Sequence, residues 1–308
     1  MKNAPPVARI FSATGVSFRP CAGPAKRASL AAMTASFTGF DPADLAFLSG
    51  LAVHNDRDWF AANRAVYDAR LKPALGALIA DASTACARRG LPLGGDPAKS
   101  QFRIHRDVRF SKNKQPYKTH LSAVLTRDGL KMSPGMAYIH IEPEGGSRVT
   151  ADTFDYDSID PLDPSTHPAA RLSAPEPETP AAAIPDIEDA HGRGAYVSAG
   201  FFLYDRKNSD KVRRAIAADP DDWLAIEAHL AARGLRLAPG MAVKRMPKGF
   251  DDHAGTALEP SLKRLQWYAR RPLTGTEVSS PDLPGTIAGF VDDMKPLLEF
   301  GWKALYGG

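Results

Sequence analysis

Cysteine is almost absent: Cys21 and Cys86 are the only two in 308 residues. Two thiols cannot build a disulfide scaffold or a multi-cysteine metal site, so a reducing, cytoplasmic setting is the default expectation. The chain also lacks any uninterrupted apolar run of about 18 residues, the length that a membrane-spanning helix needs. Eight histidines are present, but none falls into H-E-x-x-H or histidine-plus-paired-cysteine spacing. No metal and no cofactor is therefore nominated. No segment recurs at a fixed period. What remains is ordinary for a globular chain, 44% hydrophobic and 24% charged, which excludes wholesale disorder, collagen and coiled coil.

Acids are missing from the start of the chain. Lys2, Arg9, Arg19, Lys26 and Arg27 all precede the first carboxylate, Asp41. Subtracting those five charges from the formal net charge of +4 leaves −1 for the remainder. The body is thus near neutral, and its basic balance is no argument for a nucleic-acid partner. Residues 1–36 lack apolar periodicity and read as an N-terminal extension, either disordered or a mis-assigned start with Met33 as the working initiator. An Arg-bearing, acid-free leader also has the look of a transit peptide.

From Phe37 onward the pattern is regular. Asp41-Pro42 pairs an N-cap with a first-turn proline, followed by a stripe at Leu45, Phe47, Leu48 and Leu51. Asn55 or Asp56 can cap a second helix running to Ile79, with a kink or break at Pro73. Residues 102–110 alternate, placing Arg103, His105, Asp107 and Arg109 opposite Phe102, Ile104, Val108 and Phe110. With Tyr117–Thr126 this predicts a hairpin, and 136–142 a further strand. Residues 152–189 hold ten acids, seven prolines and one base, Arg171, so about 147–194 is expected to be a disordered acidic insertion. A strand over 195–204, a helix capped by Asn208 or Ser209, and a helix over 219–232 come next. A strand over 241–246 and helices over about 258–269 and 284–305 complete the pattern. Helices bracket the strands without strict alternation. The fold class is therefore α+β, with a mainly antiparallel central sheet packed with N-terminal and C-terminal helices in a single domain over 37–305.

Four stretches carry a resemblance. They are Asn55-Asp56-Arg57-Asp58-Trp59-Phe60, the long run from Phe102 to Thr119, Val212-Arg213 with Ile216, and Lys244 to Asp251. In this order they closely resemble the motifs of an uncharacterised family, domain of unknown function 2461, over about residues 37–305 apart from the acidic insertion. Asn113 departs from the pattern, standing where an acid is expected. The resemblance supports the fold and its boundaries and implies no activity.

Function rests on charge. Between Lys99 and Lys118 lie seven bases, Lys99, Arg103, Arg106, Arg109, Lys112, Lys114 and Lys118, against one acid, Asp107. Converging cations suit a phosphate or carboxylate. The leading expectation is a binding or catalytic cleft for a small anionic, phosphate-bearing ligand. Arg103, Arg109, Lys112 and Lys118 would supply positive potential, and Lys248 with Gly249 would close the rim. His105 and Asp107 are the only acid–base pair nominated, and whether any reaction occurs stays open. The alternative is a non-enzymatic interaction module whose basic residues form a structural ion-pair network. A third reading, a nucleic-acid-associated protein, draws on the interleaved bases and aromatics of the hairpin and of Lys263–Arg271. A membrane partner is not expected.

Overall fold

The computed structural model describes residues 36–109, 113–143, 194–203, 205–240 and 242–307. The expectations for the N-terminal extension and the acidic insertion fall outside these residues except at their edges, and so does Lys112. The described residues belong to one compact unit of the chain. Among them no helix is long and apolar enough to cross a membrane.

Helix α1 (Pro42–Val53) starts as its sequence dictates, with Asp41 accepting the Ala43 amide and Pro42 in the first turn. Helix α2 (Arg57–Val66) is capped by Asp56, which takes the amides of Asp58 and Trp59. The other candidate cap, Asn55, has a long-range task instead. Its side chain donates to the Tyr117 carbonyl and accepts the Tyr117 amide, both at 2.9 Å. The single helix expected to reach Ile79 is interrupted by a π-helical turn, Tyr67–Leu71, ahead of α3 (Lys72–Arg88). Pro73 has no N–H, and its ring crowds the carbonyl four residues back. The wider turn absorbs that defect.

Four strands, β1 (Leu121–Thr126), β2 (Met136–Ile141), β3 (Tyr196–Phe202) and β4 (Gln266–Pro272), form one sheet in sequence order, each antiparallel to the next. The fold is α+β. Alternate residues Ala137, Ile139, Val197, Ala199, Trp267 and Ala269 turn to a common inner face and are buried there. Helix α3 covers this face at β1, and α8 (Leu283–Asp293) and α9 (Lys295–Tyr306) cover it at β3. Helix α9 comes so close that a Cβ at Gly301 would collide with the Phe201 ring. Between β3 and β4 run α4 (Arg206–Ala218), α5 (Pro220–Ala231) and the single turn α6 (Glu259–Leu262). The single turn α7 (Gly275–Val278) follows β4.

Several sequence expectations are corrected. Residues 258–269 are not one helix. After α6 the chain becomes β4, because pairing with β3 and burial of Trp267 and Ala269 override the helical spacing. Residues 284–305 form two helices, broken where Pro296 opens α9. The strand expected over 241–246 reduces to an isolated bridge, Ala242 to Arg264. Helix α4 is capped by Asp205, whose carboxylate accepts the Asn208 amide, not by Asn208 or Ser209. In place of the strand expected over 102–110, residues 102–109 are an irregular ribbon beside β1, bridged at Gln101 to Ala123 and at His105 to Tyr117. The Arg106 amide reaches the Pro116 carbonyl, but Pro116 has no N–H to return, so the ladder stops there.

Candidate anion-binding site

The basic ribbon is held by aromatic packing. Tyr117, pinned by Asn55, stacks on Phe60 of α2 at 4.2 Å between ring centroids. The His105 ring leans on both, 5.1 Å from Tyr117 and 5.6 Å from Phe60. Partial burial, and then the charges of Arg103 and Arg64, push the His105 pKa down. Asp107 faces a different partner. Its carboxylate takes two bonds from Arg109 Nε and one, at 2.5 Å, from Arg109 Nη2. This guanidinium, with the Arg109 amide, holds the Asp107 carboxyl down at about 2. The hydrogen bonds described for Asp107 all run to Arg109, so the nominated pair of His105 with Asp107 is not among them. Lys114 is likewise engaged, donating to the carbonyls of Val108 and Arg109. Arg103 lies exposed on the ribbon.

Lys248 and Gly249 sit in an exposed turn. Gly249 has φ +89°, a left-handed backbone that a side chain would strain, and its amide meets Asp251 Oδ2 at 3.4 Å. No hydrogen bond, ion pair or ring contact among the described residues joins this turn to residues 103–118. The two basic segments are not brought together by any such contact.

Lys118 leads elsewhere. It is buried, 3% exposed, with its ammonium 5.3 Å from the centre of the Phe102 ring. Lys131 approaches the same ring at 5.3 Å. Both belong beside the sheet's outer face, the one turned away from the helices. Strand alternation places Ser122 of β1, Tyr138 and His140 of β2, Tyr196 and Ser198 of β3, and Tyr268 and Arg270 of β4 on this face. Ser122 and His140, His140 and Tyr196, and Ser198 and Arg270 are direct cross-strand partners.

A stack of side chains crosses the sheet there. The ring of His120, just before β1, lies 4.2 Å from that of His140, and His140 lies 4.5 Å from Tyr196 at an interplanar angle of 13°. The Arg270 guanidinium carbon sits 3.3 Å from the centre of the Tyr196 ring, a cation–π contact. His140 Nε2 faces Glu142 Oε2 at 3.3 Å. Burial, and then the neighbouring cations, set the acid–base character of the stack. His120 is pushed well below the usual imidazole range by burial, with His140, Lys118 and Arg106 adding to it. His140 is lowered by burial too, against the pull of Glu142. Burial raises the Tyr196 phenol, with Arg270 opposing. Both imidazoles are therefore neutral near pH 7. Two polar atoms of the stack, His140 Nδ1 and Arg270 Nε, are buried without a hydrogen-bond partner.

Of the described residues nominated from sequence, only Lys118 belongs to this cluster. His120, His140, Glu142, Tyr196 and Arg270 were missed. A signal existed for part of it: a strand correctly placed at 136–142 puts Tyr138, His140 and Glu142 on one face at spacing two. Arg270 stood in the basic and aromatic run Lys263–Arg271, just past the segment read as helix, and was weighed there only for nucleic acid. Among the described residues no group of three or more histidines, cysteines and carboxylates converges as a metal site.

The fold and site define an α+β protein whose sheet presents a cationic, aromatic outer face. The family model described as "Conserved hypothetical protein (DUF2461)" matches residues 43–159 and 189–300, a span that holds every member of the stack. The chain belongs to that family. No curated protein and no solved structure matches it.

Proposed function

We propose that the protein binds a small oxyanion, carried by a phosphate-bearing ligand, on the outer face of its sheet, with Arg270 and Lys118 supplying the charge. The observation that supports this reading is the Arg270 Nε–H, a cationic donor buried without a partner beside a stack of neutral rings. A buried unpaired donor costs about 1–3 kcal/mol, more when charged, and an oxyanion removes that cost. Arg103 and Arg109, exposed on the ribbon, add positive field.

The test is thermal unfolding of the full chain with and without millimolar phosphate. A ligand at a hundred times its Kd adds about 2.7 kcal/mol to stability. The shift should vanish in folded Arg270→Met and Lys118→Met variants. A wild type indifferent to phosphate, nucleotides and small carboxylates sinks the reading.

One observation favours the second reading, an interaction module held by structural ion pairs. Arg109 is claimed by Asp107 through three hydrogen bonds within the ribbon itself. Should Arg109→Ala and Lys118→Met both unfold the protein while no anion stabilises it, the network reading stands instead.

A further inference from the structure

Two imidazoles lie face to face on the outer side of the sheet, and they differ in freedom. His140 is fixed: it sits in the central strand β2 with Ser122 and Tyr196 as its direct partners on either side. His120 is outside the strands. It belongs to the short stretch between the Lys118 amide, bonded to the Ile104 carbonyl, and Leu121, the first residue of β1. Its place on the face is marked by a ring contact, 4.2 Å from His140 at an interplanar angle of 29°. Charged and titratable groups face the pair from every side. Lys118 lies two residues before His120 and Arg106 comes from the ribbon, while Tyr138 and Glu142 come from β2, Tyr196 from β3 and Arg270 from β4. Three of these are cations, and Glu142 is the carboxylate set against them, its Oε2 facing His140 Nε2. A proton added to the stack would join that positive charge where the His140 and Glu142 side chains are only 11% and 12% exposed.

We propose that His120 is an acid-released latch: its neutral ring holds residues 118–121 against the outer face, and it takes up a proton by leaving the stack, drawing Lys118 off that face. Burial and the neighbouring cations keep His120 well below the usual imidazole range while it is stacked, whereas a ring in water has a pKa of about 6.5. The released form therefore binds more protons below about 6.5, so acid favours release, and above that pH the latch is at full strength. His140 has no such route, because leaving the face would break its pairing with β1 and β3. The latch goes beyond the anion reading and stands or falls without it.

Amide hydrogen exchange of the full chain from pH 7.5 to 5.5 tests this, in phosphate-free buffer and corrected for the intrinsic pH dependence of exchange. One proton gained by an imidazole of pKa about 6.5 raises the opening constant about tenfold over that range. The Lys118 and Leu121 amides should lose protection by that factor, while Ile139 and Val197 in the central strands change less. His120→Phe keeps a ring in the stack but cannot titrate, so the Lys118 and Leu121 amides should then be flat with pH. The variant also separates His120 from His105, whose ring leans on Tyr117 nearby. Should it not fold, the wild-type profile decides by itself. Protection at Lys118 and Leu121 that stays constant with pH overturns the latch. Protection that falls in step with Ile139 and Val197 overturns it too, since the histidines then titrate only on global unfolding. A pH dependence that survives in folded His120→Phe belongs to another group and has the same consequence.

Discussion

Replacing Arg213 by Met should weaken the fold by about 3 kcal/mol, and the loss should be felt first at β4. Arg213 is 2% exposed on α4. Its Nε donates to the Leu262 carbonyl and its Nη2 to the Arg264 carbonyl, each at 2.8 Å, while its Nη1 meets Asp210 at 2.7 Å. Leu262 and Arg264 lie immediately before β4, so one guanidinium clamps the turn that aims that strand. Methionine fills much of the space without donating. Two carbonyls then lose charge-assisted bonds, at about 1.5 kcal/mol each. Asp210 is partly exposed and recovers water, so its share is small. Urea unfolding at 25 °C gives the total, and hydrogen exchange of the Trp267 to Arg270 amides gives its location. A loss below about 1 kcal/mol, or a loss with β4 exchange unchanged relative to β2, would show that the clamp is not what sets the strand.

Three further outcomes follow from the geometry. Asn55→Ala removes both bonds to the Tyr117 backbone, so stability should drop by about 1–3 kcal/mol and the Tyr117 amide should lose exchange protection; an unchanged amide would contradict the pinning role. Burial holds the His120 and His140 pKa values below the unfolded value of about 6.5, so the unfolded chain binds more protons just below that pH. Their contribution is complete above about 6.5 and drains as the pH falls toward the folded values; urea midpoints from pH 7.5 to 5.5 should decline in the wild type and decline less in His120→Phe, and equal slopes would count against it. Burial pushes the Cys86 thiol up to about 11, so in a Cys21→Ser background a thiol reagent at pH 8 should label the native protein only at the rate of unfolding, and prompt labelling would refute the burial.

Local chemistry was legible at several short-range sites, though not at α4, where Asp205 is the cap instead of Asn208 or Ser209. The Asp41 cap, the Asp56 option and the start of β2 at Met136 follow from residue types within a few positions. Misreadings arose where a distant partner decides. The run Gln266 to Pro272 satisfies a helical spacing and a strand alternation equally, and only the presence of β3 selects the strand. The basic ribbon looked like a self-contained site because its charges are adjacent in sequence. In the fold, Asp107 absorbs Arg109, and Lys118 turns to the opposite face to meet residues contributed from positions 120, 140, 196 and 270. Asn55 shows the same limit: beside Asp56 it resembles a cap, and nothing nearby reveals Tyr117 as its partner.

The side-chain ladder over the sheet takes one rung from each strand or its approach, so its continuity depends on three pairings at once. A one-residue slip of any strand would send its rung through to the helical side and cut the ladder. An anion seated on Arg270 would therefore act on the meander from its last strand: its binding energy opposes a slip of β4, which would carry Arg270 through to the helical side, and the same ligand would also proofread the pairing of β3 with β4.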